Sequence, residues 1–351
     1  MSRHHTAAGR NEGQNEGRNG SRSRDWIDGH LDLAYLGVSG HDLTRPHADP
    51  ADGCISLPEL REAGVTIAFG TIYTEPEAAD SPWGYPDSAD REAAFATGKR
   101  QLDLYYQLAD QGEIRLIDSA AEFERPDPAP GVVLLMEGAD PIRSPEDVGW
   151  WHERGVRLVG LTWALGTRYA GGNERHGPLT GEGRELVGEL DRFGIVHDVS
   201  HLADAAFADL LETTDGPIVA THSNCRLLLP DRQRHLTDEQ IRAIAARDGV
   251  VGLNLFSVFL TRKDRATIDD CVAHIEHVCD IMGHRRGVVL GSDMDGGFPP
   301  SRLPVELDHP RHLHRLADAL RGRGWSDGDV AGFRHGNWQR VLRRAWAEEQ
   351  S

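Results

Sequence analysis

The chain has 351 residues, 39% of them hydrophobic, with 56 acidic against 38 basic side chains and a formal net charge of -18. That is enough apolar material for a large core; length alone suggests about two domains, although α/β barrels run past about 250 residues as one unit. The acidity argues against nucleic acid and against an anionic membrane surface as partners, because both reward Lys and Arg.

Only Lys99 and Lys263 are lysines, so arginine carries nearly all the basic charge. Cys54, Cys225, Cys271 and Cys279 form no C-x-x-C pair and read as free thiols of a reducing compartment. No apolar stretch approaches the ~18 residues of a membrane span. The N-terminal segment lacks the apolar region of a signal peptide, and the C-terminal AWAEEQS lacks a lipid-anchor tail. A cytoplasmic protein is the expectation.

Residues 1–24 are Gly, Asn, Ser, Arg and Glu with little to bury, which predicts a disordered tail ahead of a single catalytic domain over 25–351. From residue 25 on, short apolar runs alternate with helical patterns. Strands are predicted over 26–33, 65–73, 131–137, 156–163, 195–201, 217–222, 250–256 and 287–293. Several are rich in Val, Ile and Leu, as strands buried on both faces should be. Helices are predicted over 92–111, 183–192, 203–212, 237–246 and 267–282, the fourth opening at Thr237 with Glu239 and Gln240 behind it, a capping-type start. Eight alternations of this kind predict a closed (β/α)8 TIM barrel of the metal-dependent hydrolase type. An open doubly wound sheet is the alternative, and the missing G-x-G-x-x-G turn counts against a dinucleotide-binding version. Long connections over 74–90 and 223–235 fall where barrels keep substrate contacts.

Polar residues gather at the predicted strand ends. His30 and Asp32 close the first strand, Glu137 the third, His201 the fifth, His222 the sixth and Asp293 the eighth. All are metal-ligand types, at the end of the barrel where active sites are built. His30 and Asp32 are two apart and so share one side of an extended strand. Each alone reads more readily as a satisfied structural polar group; six at one mouth do not. The nitrogen and oxygen donors suit zinc in an open hydrolytic site. Two ions need a shared anion to offset their repulsion. Neither lysine falls at a strand end, which leaves Glu137 as the bridge. His197 rivals His201, four residues away, and Asp295 rivals Asp293; the S-H pair and the nearer strand end favour His201 and Asp293.

The segments DGHLDL (28–33), LLMEGAD (134–140), HDVSHL (197–202), THSNCRLL (221–228), RHLTDEQIRAIAARDGVVGLN (234–254) and GSDMDG (291–296) together resemble the membrane (renal) dipeptidase family, as does the W-S-D-x-D-V…G-N pattern over 325–337. The resemblance runs from about residue 25 to the end. It implies two zinc ions per chain, one held by His30, Asp32 and Glu137 and the other by Glu137, His201 and His222. It further implies that Arg234 grips the carboxylate of a dipeptide substrate and that Asp293 transfers a proton while water activated between the ions cleaves the peptide bond. One departure stands out. Where animal members carry a substrate-contacting histidine at the end of strand four, this chain has Trp163, whose indole donates but does not titrate and which is assigned here to substrate binding. The alternatives are another binuclear hydrolase, such as a lactonase or deaminase, or a metal-binding barrel without activity. A homodimer is compatible with any of them.

Overall fold

In the computed structural model, residues 25–125 and 127–348 are described, so the tail predicted over 1–24 lies outside the described residues. Eight parallel strands occupy the positions read from the sequence: β1 (Trp26–Leu31), β2 (Val65–Tyr73), β3 (Gly131–Glu137), β4 (Val156–Gly160), β5 (Val196–Asp198), β6 (Ile218–Val219), β7 (Val251–Leu253) and β8 (Val288–Leu290). Strands β1 to β6 form one parallel ladder in chain order, and β7 pairs with β8. A parallel bridge between Ala220 and Val251 joins the two pieces. The Asp293 N–H reaches the His30 carbonyl at 3.2 Å and returns the last strand to the first. The buried Asp28 carboxylate holds the same seam by accepting the Ser292 N–H at 2.8 Å. The sheet therefore closes, and the predicted (β/α)8 barrel is the fold.

The five predicted helices are present as α1 (Arg91–Asp110), α2 (Gly181–Arg192), α3 (Asp204–Thr213), α4 (Asp238–Ala246) and α5 (Ile268–Met282). Thr237 caps α4 in a reciprocal box with Gln240, and Thr267 does the same for α5 with Asp270. Each such cap satisfies two orphan N–H groups, and its hydroxyl is worth about 1 kcal/mol. Among the described residues no helix is long and apolar enough to cross a membrane.

Alternation along the strands decides what the barrel interior holds. On β3, Val133 and Leu135 belong to the inner cluster, and Glu137 is the next residue on that face. On β2, Ile67 and Phe69 are followed by Thr71 and Tyr73. The inner layer continues with Leu158, Val196, Val219 and Val289 and is plugged by Trp338 of α6 (Asn337–Glu348). The Trp338 ring lies 4.5 Å from Phe69, and its N–H donates to the Leu290 carbonyl at 3.0 Å. Apolar burial of this kind stabilises by about 1.5–3 kcal/mol per side chain. The interior beneath the polar mouth is thus packed, and only the carboxy-terminal ends of the inward faces are free for chemistry.

The ladders stop earlier than predicted. The sequence carries β1, β4, β5, β6, β7 and β8 on to residues 33, 163, 201, 222, 256 and 293; they end at Leu31, Gly160, Asp198, Val219, Leu253 and Leu290. Side chains take over the backbone groups there. The Asp198 carboxylate accepts the N–H groups of Ser200 at 3.1 Å and Thr221 at 3.0 Å, and Asn224 accepts the Asn254 N–H at 3.2 Å while donating to its carbonyl at 3.0 Å. His201, His222 and Asp293 therefore stand in the first residues of the loops above the barrel. The pairing of β1 with β2 also slips between Asp28 and Leu31. Through that bulge Leu31 joins the outer core, and Asp32 occupies the N-cap position of the short helix Leu33–Val38.

Candidate metal centre and substrate cavity

Five side chains meet at the mouth, His30, Asp32, Glu137 and His222 buried and His201 nearly so. The Glu137 carboxylate directs Oε2 towards His30 Nε2 at 3.7 Å and Oε1 towards His201 Nε2 at 3.1 Å and His222 Nε2 at 3.4 Å. Asp32 Oδ1 lies 3.8 Å from His30 Nε2 and accepts the Thr71 hydroxyl. The ligand atoms of His30, Glu137 and His222 form one group with metal-ligand spacing, and those of His30, Asp32 and Asp293 form a second. The five residues predicted to hold metal are thus together, and Asp293 stands close enough to His30 and Asp32 to reach the same ion.

Outer partners orient the imidazoles. His201 Nδ1 faces Asn173 Oδ1 at 2.8 Å, an acceptor, so Nδ1 carries the proton and Nε2 is bare. His222 Nδ1 faces Thr221 Oγ1 at 2.9 Å, and that hydroxyl donates its own hydrogen to Asp198 Oδ2 at 2.6 Å. His222 Nε2 is therefore bare as well. The two Nε2 atoms sit 3.1 Å apart, with a carboxylate oxygen of Glu137 against both and neither imidazole supplying a proton between them. Lone pairs arranged in this way repel one another unless a metal ion, or in its absence a proton held by Glu137, stands among them. The donor set fits a zinc-type ion with nitrogen and oxygen ligands, each histidine fixed from behind.

Electrostatics agree with that fit. Burial, then the Arg234 charge, pushes His30 down to about 3, and burial likewise holds His201 and His222 well below the usual imidazole range. Burial lifts Asp32 to about 6. It also lifts Glu137 well above the carboxylate range, helped by the charges of Asp32 and Asp293, and lifts Asp293 with help from Asp32. Neutral imidazoles beside carboxylates that resist ionisation are what a buried ligand shell shows without its cation.

Above the ligands lies a cavity of about 330 Å3 lined by Tyr35, Tyr73, Glu75, Trp83, Trp163 and Arg234 among others. A larger hollow of about 880 Å3, between α1 and the 79–86 loop, contains none of the ligand residues; the convergence of donor groups, not size, places the site. Arg234 is buried and donates to the Ser200 carbonyl, to Ser223 Oγ at 2.7 Å and to the His222 carbonyl at 2.6 Å. Two of its five donors remain, Nε–H among them, which has no partner among the described residues. Asp293 accepts from Asn254 Nδ2 at 2.8 Å through Oδ2. Its backbone has φ 59°, a left-handed conformation that Asp tolerates better than most residues and that recurs at functional positions. Trp163 borders the cavity 6.0 Å from the His201 ring and 5.2 Å from Tyr73, centroid to centroid.

The two rivals point elsewhere. His197 pairs with Asp191 at 2.7 Å on the far side of β5, which is the direction opposite to an inward ligand. Asp295 accepts the N–H groups of Cys54 at 2.6 Å and Ile55 at 2.7 Å; the turn at Asp293 rotates it out of the extended geometry in which both would face one way. Sequence reasoning passed over Asn173, Thr71, Thr221 with Asp198, and Asn254, which hold the ligands and Asp293 in place. Of these Asp198 and Thr221 had a signal, each standing beside a histidine of the quoted motifs, and Asn254 closes the quoted 234–254 segment.

A closed α/β barrel with buried His and carboxylate donors at its carboxy-terminal mouth defines a metal-dependent hydrolase scaffold. The chain belongs to the membrane dipeptidase family (peptidase family M19), whose profile matches residues 21–351. It is 35% identical over 266 residues to an uncharacterised protein of the pqqA 5' region of Klebsiella pneumoniae, covering 71% of this chain and 96% of that one. It is 27% identical to the dipeptidase aclJ of Aspergillus oryzae, covering 90% of this chain and 76% of the relative. Among solved structures, a metallopeptidase from Rhodobacter sphaeroides, bound to a phosphinate mimic of the dipeptide L-Ala-D-Ala, superposes with a TM-score of 0.80 at 28% identity, covering 92% of this chain and 99% of that one.

Proposed function

We propose that this chain hydrolyses the peptide bond of free dipeptides with two zinc ions, one held by His30, Asp32 and Glu137 and the other by Glu137, His201 and His222. The observation that carries the reading is the division of the Glu137 carboxylate, one oxygen towards His30 and the other towards His201 and His222. The dipeptidase relatives and the dipeptide mimic in the Rhodobacter structure support the substrate class. Zinc in this shell would supply a Lewis acid for the scissile carbonyl and an acidified water.

The protein's own groups do the rest. Arg234 has two unpaired donors, enough for a bidentate hold on a carboxylate. Asp293, with Oδ2 fixed by Asn254 and its carboxyl raised by burial, holds a proton at Oδ1 for the leaving amine. Trp163 and Tyr73 wall the cavity and keep bulk water from the peptide. A cytoplasmic location and one catalytic domain from residue 25 onward are part of the same proposal. Four unpaired cysteine thiols support the compartment.

The test is a comparison of kcat/KM for a dipeptide, its C-terminal amide and a tripeptide. The zinc-loaded protein should cleave the free dipeptide at least tenfold faster than either, and Arg234→Met should erase the difference between dipeptide and amide. Equal rates on dipeptide and amide in the unmutated protein would move the reading to a lactonase or deaminase.

A further inference from the structure

Glu75 is the one ionisable group lining the 330 Å3 cavity that is neither among the proposed metal ligands, nor Arg234, nor Asp293, nor a tyrosine. Among the described residues it has no ion pair; its side chain has one hydrogen-bond partner, the Tyr73 hydroxyl, at 2.9 Å. An anion at the wall of a substrate cavity with no cation of its own is poised to meet one brought by the ligand. Its surroundings have the same preference. Tyr35 lies against Trp83 with ring centroids 4.5 Å apart and planes tilted by 51°, and meets Tyr73 edge to face at 6.2 Å; all three rings line the cavity with Glu75. Aromatic faces beside a carboxylate bind ammonium and guanidinium groups through the ring quadrupole.

The arrangement is built into the chain. Glu75 opens a two-residue strand, Glu75–Pro76, that pairs with Gly84–Tyr85. The Glu75 N–H donates to the Trp83 carbonyl at 3.2 Å, so the carboxylate and the indole are fixed to each other through the backbone. Gly84 permits this approach, since a Cβ there would run into the Ala78 carbonyl. Tyr73 links the group to the reaction centre: its hydroxyl stays protonated under the influence of burial and of the Glu75, Glu137 and Asp32 carboxylates, so it donates to Glu75 while its ring faces Trp163.

We propose that Glu75, within the Tyr35–Tyr73–Trp83 wall, is a specificity-determining residue that binds a basic side chain on the amino-terminal residue of the dipeptide. The inference rests on the dipeptidase reading, with Arg234 holding the carboxyl end; the cavity then offers the substrate a cation-binding group at one place and an anion-binding group at another.

The experiment compares lysyl and norleucyl dipeptides with a common second residue, a pair that differs in the terminal ammonium. In the zinc-loaded protein kcat/KM should favour the lysyl substrate at least tenfold. Glu75→Gln should reduce the lysyl-to-norleucyl ratio at least tenfold, and Glu75→Lys should shift preference to a glutamyl dipeptide. Calorimetric titration of lysyl and norleucyl phosphinate mimics reads the same ratio as binding, without turnover. An unchanged ratio in Glu75→Gln overturns the proposal, including the case in which both substrates slow together because Glu75 serves the α-ammonium common to them. Failure of the unmutated protein to cleave any dipeptide would instead refute the dipeptidase reading. The mimic titration would still decide whether the wall selects a basic side chain.

Discussion

Replacing Glu137 with glutamine tests the metal centre at its shared point. The substitution keeps shape and removes one charge from a buried position where Oε1 and Oε2 face different imidazoles at 3.1–3.7 Å. A unit charge pair at about 4 Å is worth about 4 kcal/mol at an effective dielectric of about 20, hence about 8 kcal/mol against a divalent ion before desolvation takes its share. If about a third survives, some 2.8 kcal/mol, affinity falls about a hundredfold for each ion. Elemental analysis and competition with a chelator should therefore show both ions weakened together. Thermal unfolding supplies an internal control. Without metal, Glu137 is a buried carboxyl raised well above its usual range, so its contribution to stability is present at low pH and is lost as pH rises through the folded value. At pH 8 the metal-free Glu137→Gln protein should thus be at least as stable as the metal-free parent. The gain on adding zinc, about 2.7 kcal/mol at a hundredfold excess over Kd, should largely disappear. Loss of a single ion with the other still bound at parental affinity would falsify the bridging assignment.

Asp293→Asn should keep the metal content near that of the parent and slow dipeptide turnover by about 10²–10⁴-fold, as removal of a proton-transfer group does; departure of an ion with the carboxylate would make Asp293 chiefly a ligand, as its nearness to His30 and Asp32 allows. Thr221→Val removes the hydroxyl that accepts from His222 and donates to Asp198, and zinc affinity measured by chelator competition should fall by about 10–100-fold, the usual effect of losing an outer-shell partner. Unchanged affinity in that variant would mean that the ring needs no such orientation.

The barrel was legible because eight apolar runs with intervening helical patterns survive in the sequence, and local signals such as the Thr237 cap map directly onto an element end. The donor residues were legible because each follows an apolar strand at the same end. Three things were hidden. The strand ends depend on Asp198 and Asn224 capturing the backbone N–H groups of Thr221 and Asn254 across the loops, a tertiary effect without periodicity. The bulge in β1 that separates Asp32 from the strand arises from pairing with β2. The positive φ of Asp293, which turns Asp295 towards Cys54, is set by the seam between β8 and β1. Glu75 and Trp83 were visible only as parts of a long loop; their meeting depends on a two-residue pairing too short to leave a pattern.

Asp198 shows why the fold and the site are not separable here. One oxygen ends the β5 and β6 ladders by accepting the Ser200 and Thr221 N–H groups, and the other accepts the Thr221 hydroxyl that orients His222. The Ser200 hydroxyl donates to the first oxygen at 2.6 Å, and the Ser200 carbonyl in turn accepts from Arg234. A single buried carboxylate thus fixes where two strands stop, which nitrogen of His222 is free, and how the loop beneath Arg234 runs. Continuing β-pairing to His201 and His222 would satisfy the same backbone groups more simply. It would also confine both imidazoles to the alternation of a strand, whereas the short ladders let them leave it and converge on Glu137. The early strand ends are therefore the means by which a regular barrel presents an irregular set of ligands.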